Sequence, residues 1–206
     1  MDQKTHWDSV YTTKAPTDVS WFQPEASRSL ALITAAAPDR AARILDVGGG
    51  ASRLVDGLLD LAYSRVTVLD IAEPALQYAR QRLGARSTLV TWRAADVLTA
   101  TFAPSSVDVW HDRAVFHFLV EAADRRRYVE QVRGALSPGG TVVVATFADD
   151  GPLRCSGLDV ARYSADGLHN EFGEDFELLQ SEREEHRTPS GAVQSFTYCL
   201  CRGPAR

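Results

Sequence analysis

The chain has 206 residues, 45% of them hydrophobic and 24% charged, which is the balance of an ordinary globular protein and excludes a disordered or fibrous one. Lysine plus arginine is 22 against 27 for aspartate plus glutamate, a formal charge of −5, so a general grip on nucleic acid through basic charge is disfavoured. The longest apolar run, 141–148, falls far short of the roughly 20 residues that cross a bilayer.

The opening Met1-Asp2-Gln3-Lys4-Thr5-His6-Trp7-Asp8 has no apolar signal core, and three cysteines do not make a disulfide framework. A cytoplasmic protein with neither a nucleic-acid nor a membrane partner is expected; monomer and homodimer stay open. Residues 1–37 read as a cap, in which an irregular aromatic segment with Trp7, Tyr11, Trp21 and Phe22 precedes a helix over 24–37. Residues 43–47 form a strand that runs into Gly48-Gly49-Gly50, and Leu54, Val55, Leu58, Leu59 and Ala62 then recur at helical spacing over 52–63. A second strand over 66–70 is followed by a helix from Glu73-Pro74 to about Leu83, with proline where the first helical turn tolerates it.

Short β-branched or aromatic segments at 87–92 and 107–111 read as the third and fourth strands. An amphipathic helix over 121–136 ends at Ser137-Pro138-Gly139-Gly140, and 141–147 is a fifth strand, apolar on both faces. A weak helix at 164–172 precedes two segments, 176–182 and 192–201, that flank the turn-like Thr188-Pro189-Ser190-Gly191. Continuously apolar strands separated by helices indicate a parallel sheet covered on both faces. The expected fold is therefore a Rossmann-like, doubly wound α/β domain: a seven-stranded, mostly parallel sheet whose last strand pair is antiparallel. It divides into an aromatic lid at 1–37, a ligand-binding core at 38–148, and a loop with closing strands at 149–206.

The turn Asp46-Val47-Gly48-Gly49-Gly50-Ala51-Ser52 lies between a strand and a helix, where glycine lets backbone approach a ligand closely. It departs from the dinucleotide fingerprint G-x-G-x-x-G because Arg53 stands where the third glycine belongs. An acidic residue two before the first glycine suits a ligand bearing an ammonium group. Asp70, at the end of the second strand, is placed to accept from both hydroxyls of a ribose, and Asp96-Val97, after the third, suits the amino edge and face of adenine. Each aspartate taken alone is also an ordinary turn residue.

Taken together, these stations over 43–147 resemble the class I S-adenosylmethionine-dependent methyltransferases. The resemblance implies that Gly48, Gly49 and Gly50 line the methionine portion of S-adenosylmethionine, with Asp46 reaching its ammonium through water. It implies Asp70 and Ile71 at the ribose, Asp96 and Val97 at the adenine, and the backbone of His111 near the methionine amine. The Asp112-Arg113 pair, with Trp7 and Tyr11 four apart and the later Trp21-Phe22-Gln23, resembles thiopurine methyltransferases and their bacterial relatives. That likeness implies Trp7, Tyr11 and Trp21 covering the cofactor and Phe22 facing the acceptor.

Methyl transfer from a sulfonium needs nucleophile, methyl carbon and sulfur held in line in a dry pocket, and little else. Candidate catalytic groups leave the carboxyl end of the fourth strand: Asp112, Arg113 and His117, the last as a base unless it is a core histidine between Phe116 and Phe118. For Arg113 the structural reading is an ion pair with Asp112 or Asp108. No metal site is expected: Cys199 and Cys201 share a strand face as small hydrophobes, and Cys155 lacks a C-x-x-C partner. His186, among glutamates, reads as exposed surface, and the Arg125-Arg126-Arg127 run as a solvated helix face. The function expected is methyl transfer to a small acceptor such as a thiol, selenol or metalloid. A protein lysine methyltransferase, with Asp18, Glu25 and Asp112 as acidic walls, and a non-catalytic cofactor-binding module are the alternatives. An NAD-dependent oxidoreductase ranks below them.

Overall fold

Strand β1 (Arg43–Val47) is central in the sheet, with a parallel neighbour on each side, β2 (Arg65–Asp70) and β4 (Val107–Arg113), and it is buried on both faces by the layers packed above and below. In this computed structural model, which describes residues 2–205, β2 pairs in turn with β3 (Val90–Ala94) and β4 with β5 (Leu136–Phe147), all parallel. The sheet closes with β9 (Val193–Arg202) antiparallel to β5 and β8 (Glu177–Arg187) antiparallel to β9, giving the order β3-β2-β1-β4-β5-β9-β8.

Neighbouring residues of each central strand face opposite layers. Ile44, Val66, Val109 and Val143 pack with α2 (Ser27–Ala36) and α3 (Leu54–Asp60) in one apolar cluster. Leu45, Trp110, Val142 and Val144 pack with α5 (Ala122–Ala135) and α6 (Ala165–Phe172) in the other. Helix α4 (Glu73–Leu83) contributes Leu76 and Leu83 to the first. The doubly wound sheet expected from the sequence is the fold observed. Among the described residues no helix is long and apolar enough to cross a membrane.

Several boundaries move for physical reasons. The opening segment is not irregular: α1 (Gln3–Thr13) is a regular helix. Its own apolar content is low, so it is organised by Trp7 packing on Trp21 and Phe118 rather than by an amphipathic stripe. Helix α2 starts at Ser27 rather than Pro24, and a 3₁₀ turn, Gly84–Leu89, takes the place of the third strand's expected start. Strand β5 begins at Leu136, before the expected turn. The segment Pro138-Gly139-Gly140 is absorbed as a bulge, since Val107 pairs with Leu136 and Val109 with Thr141, and Gly139 takes φ +70°. A short hairpin, β6 (Arg154–Cys155) with β7 (Leu158–Asp159), lies in the expected loop. Strand β8 runs on to Arg187, so His186 is buried rather than exposed, and its Nε2 donates to the Ser20 carbonyl at 2.7 Å.

At the amino end of the sheet, Asp108 receives Arg43 twice through its guanidinium, at 2.6 and 2.9 Å, and once through its backbone N–H at 2.8 Å. These donors hold its carboxyl well below the usual carboxylate range. Asp108→Ala is expected to cost about 1–3 kcal/mol in urea unfolding at neutral pH, the range for hydrogen bonds to a charged group. Because the folded carboxyl is the more acidic one, that difference is complete above the unfolded value of about 4 and shrinks as the pH falls below it.

Candidate functional site

The strand order reverses between β1 and β4, and in open α/β sheets ligands bind outside the carboxyl ends of strands at such a switch point. Asp46 is the penultimate residue of β1 and is itself 2% exposed. Its Oδ1 receives Nδ1–H of His111 at 2.7 Å, and His111 Nε2 meets Ser29 Oγ of α2 at 2.8 Å. Asp46 Oδ2 is buried with no partner. A carboxylate oxygen left bare in the interior is costly, and an ammonium or an ordered water fits it. Side chains on the glycine turn would close this space: a Cβ on Gly49 would collide with Asp46 Oδ2, and one on Gly50 would lie 2.6 Å from Asp70 Oδ2. Gly50 also takes φ +36°.

Two cavities share Tyr11, Trp21, Val47, Gly48 and Arg113 as a common wall. The first brings together ten of the residues singled out in the sequence: Trp7, Tyr11, Trp21, Gly48, Asp70, Ile71, Asp96, Val97, Arg113 and His117. The second holds Asp46, Gly49, His111 and Phe22, so Phe22 faces the glycine turn and not the first cavity. Gly50 and Asp112 line neither. Sequence reasoning missed Phe147, Phe196 and Ser29. The two phenylalanines come together only through the antiparallel register of β5 and β9, and Ser29 only through the docking of α2. None of the three belongs to a local motif.

The wall over the first cavity is aromatic. Trp7 meets Trp21 and Phe118 edge to face, with ring centres 5.7 and 5.0 Å apart, and Trp21 Nε1 donates to Tyr11 Oη at 3.2 Å. Burial raises the Tyr11 phenol far above its ordinary value, and that of Cys155 to about 11, so both keep their protons. Burial raises the Asp70 carboxyl to about 7, the charge of Asp46 adding to the effect and the Ala72 N–H, 2.8 Å from Oδ1, opposing it.

Asp112 is wholly buried beneath the site. Its oxygens receive the N–H groups of Val115 and Phe116 at 2.8 and 3.0 Å and the Tyr128 hydroxyl at 2.5 Å. It thereby holds the turn after β4, where Ala114 takes φ +74°, an uncommon conformation for a residue with a side chain. Arg113 pairs with neither Asp112 nor Asp108. Its Nε donates to Tyr198 Oη at 2.8 Å, its Nη2 lies 3.5 Å from Glu184, and its guanidinium stacks 4.2 Å from the Phe196 ring centre. Cys199 and Cys201 are buried in the apolar cluster on the α5 face. Arg125 pairs with Glu171 of α6 at 2.9 Å.

Residues 45–144 match the model of a family described as a methyltransferase domain. An uncharacterized methyltransferase of Mycobacterium tuberculosis is 33% identical over 121 residues, covering 57% of this chain and 56% of that protein. An O-methyltransferase of Penicillium expansum is 28% identical over 144 residues, covering 65% and 51%. The chain thus spans about half the length of the curated relatives it matches. Among solved structures, a 1,6-didemethyltoxoflavin N1-methyltransferase of Burkholderia thailandensis, with S-adenosylhomocysteine bound, superposes with a TM-score of 0.71 at 21% identity, covering 98% of this chain and 87% of that one. A SAM-dependent methyltransferase of Methanosarcina mazei gives 0.69 at 17%, covering 82% and 95%.

Asp70 carries a testable cost. A carboxyl whose folded value is raised destabilises the fold progressively as pH climbs from the unfolded value of about 4 to the folded one. Without ligand, Asp70→Asn should therefore be more stable than the parent above pH 7, by on the order of 1–3 kcal/mol, and indistinguishable from it near pH 4. Urea unfolding at both pH values measures the difference.

Proposed function

We propose that this chain is a class I S-adenosylmethionine-dependent methyltransferase, one that transfers a methyl group from S-adenosylmethionine to a small-molecule acceptor enclosed beneath the N-terminal aromatic segment. One observation carries the reading: the carboxylates of Asp70 and Asp96 and the aromatic wall of Trp7, Trp21 and Phe118 line a single cavity. When bound, S-adenosylmethionine supplies an electrophilic methyl carbon on a sulfonium.

Each role follows from a residue's position. Asp70 accepts from the ribose hydroxyls, with Ile71 beside it. Asp96 has one oxygen occupied by the Leu98 N–H at 2.8 Å, and its other oxygen takes the adenine amino group while Val97 packs on the ring. Asp46 Oδ2, bare and buried, takes the ammonium through water, and His111 keeps Oδ1 from turning away. The sheet order lays these groups along β3, β2 and β1, which leaves the ends of β4, β5 and β9 for the acceptor. There Arg113, His117, Phe147 and Phe196 form the wall. Asp112 is a positioning residue, fixing the turn that presents His117.

Trp7, Tyr11 and Trp21 exclude water, which an in-line displacement benefits from because the nucleophile sheds its hydration shell on entry. The same aromatic wall favours a compact acceptor over a protein chain. Asp112, expected as one of the acidic walls of a lysine channel, is buried against Tyr128 instead.

The direct test supplies methyl-labelled S-adenosylmethionine and the small-molecule fraction of a cell extract. Label should move to the small or volatile fraction, whereas label retained on denatured protein would put the lysine reading in its place. In calorimetry, Asp70→Ala should weaken S-adenosylhomocysteine binding by about 10- to 100-fold, as expected for loss of charge-assisted hydrogen bonds, with the fold intact by circular dichroism.

A further inference from the structure

His117 is fully buried and lines the first cavity, its ring 4.4 Å from Phe118 and 4.8 Å from Phe147, centre to centre. Its Nδ1 receives the backbone N–H of Phe147 at 3.4 Å. An amide N–H can only donate, so Nδ1 is the unprotonated nitrogen and the neutral ring carries its proton on Nε2. Nε2 is buried and has no hydrogen-bond partner in the protein. A buried donor at a cavity wall that lacks an acceptor calls for one from the ligand.

Resting on the methyl-transfer reading above, we propose that the acceptor enters as a preformed anion, an oxygen or sulfur anion on a flat conjugated ring, and that His117 donates its Nε2–H to that anion instead of removing a proton. The groups facing the acceptor end leave no other base. Arg113 of β4 is a cation, held by Glu184 of β8 and by Tyr198 of β9. Tyr11 of α1 and Cys155 of β6 retain their protons through neutrality because burial raises both. Burial, with the charge of Arg113 added, lowers His117 to about 3, so the ring resists becoming an imidazolium. Asp70 ends β2 and Asp96 follows β3, and β1 and β4 stand between those strands and β5 in the sheet order. The rings of Trp7, Trp21, Phe118 and Phe196 match a flat conjugated ligand better than a flexible aliphatic one.

The step balances without a base. The anion's lone pair forms the bond to the methyl carbon as that carbon's bond to the sulfonium sulfur breaks, the electron pair remaining on sulfur. An anion and a sulfonium cation become two neutral molecules, and no proton is released.

4-Nitrophenol, whose phenolate is coloured, probes this on the full chain saturated with S-adenosylhomocysteine. Its apparent pKa should fall by about one unit or more on binding. The shift should persist in His117→Gln, which retains a donor, and vanish in His117→Leu, with circular dichroism checking that each variant is folded. In turnover of ring-substituted phenols and thiophenols, the pH inflection of kcat/KM should follow each acceptor's own pKa. His117→Gln should lose no more than about tenfold, whereas removal of a true general base costs about 100-fold or more. A probe that binds neutral or not at all, an inflection fixed at one pH for every acceptor, or a His117→Gln loss equal to that of His117→Leu would overturn the inference and leave the methyl-transfer reading standing. Failure of S-adenosylhomocysteine to bind would overturn both.

Discussion

A carboxylate buried at the centre of a sheet must be held, and the way Asp46 is held organises the rest of this molecule. Its Oδ1 is bound through His111 to Ser29, a chain that ties β1 to β4 and β4 to α2 across the layer that α2 covers. The cost of burying the charge is offset by that chain on one oxygen only. The other faces the glycine turn, and Gly49 leaves it open because any side chain there would occupy the space. Helix α2, and with it the path of the N-terminal segment over the site, is therefore positioned by the same interaction that prepares the ligand end of β1.

Burial has opposite consequences at the two ends of the cavity. At the β2 end, Asp70 is pushed toward neutrality by desolvation and by its proximity to Asp46. At the β5 end, the same desolvation removes charge from His117 and protons cannot easily be taken up there. Both groups line the first cavity, and in both burial disfavours the charged form. Asp112 is as buried, and burial raises its carboxyl too, to about 6, but three donors within the protein oppose that shift, and it serves the turn after β4 without lining the cavity.

The N-terminal segment joins the site through aromatic packing and through β8. Trp7 seats on Trp21 and Phe118, while His186 of β8 fixes the chain at Ser20 and Arg113 reaches the Trp21 carbonyl at 3.3 Å. A cap, a central strand and an edge strand thus meet at one point of the wall. No single stretch of sequence contains that junction.

Local pattern determined the parallel core, because the apolar strands, the glycine turn and the helix stops are properties of short segments. The aspartates at strand ends were legible for the same reason: a carboxyl end of a parallel strand faces the ligand edge wherever the strand sits in the order. Helix α1 was not legible, since its few apolar residues make no continuous stripe and Trp7 finds its partners, Trp21 and Phe118, outside the helix. His186 looked exposed among glutamates because the length of β8 is set by pairing with β9. The partners of Arg113, the Ser29–His111–Asp46 chain and the approach of Phe147 to Phe196 join residues tens of positions apart in sequence. Such contacts follow from register and layer packing, which single-segment periodicity does not encode, so only the tertiary structure decided which carboxylates serve the cavity and which serve the fold.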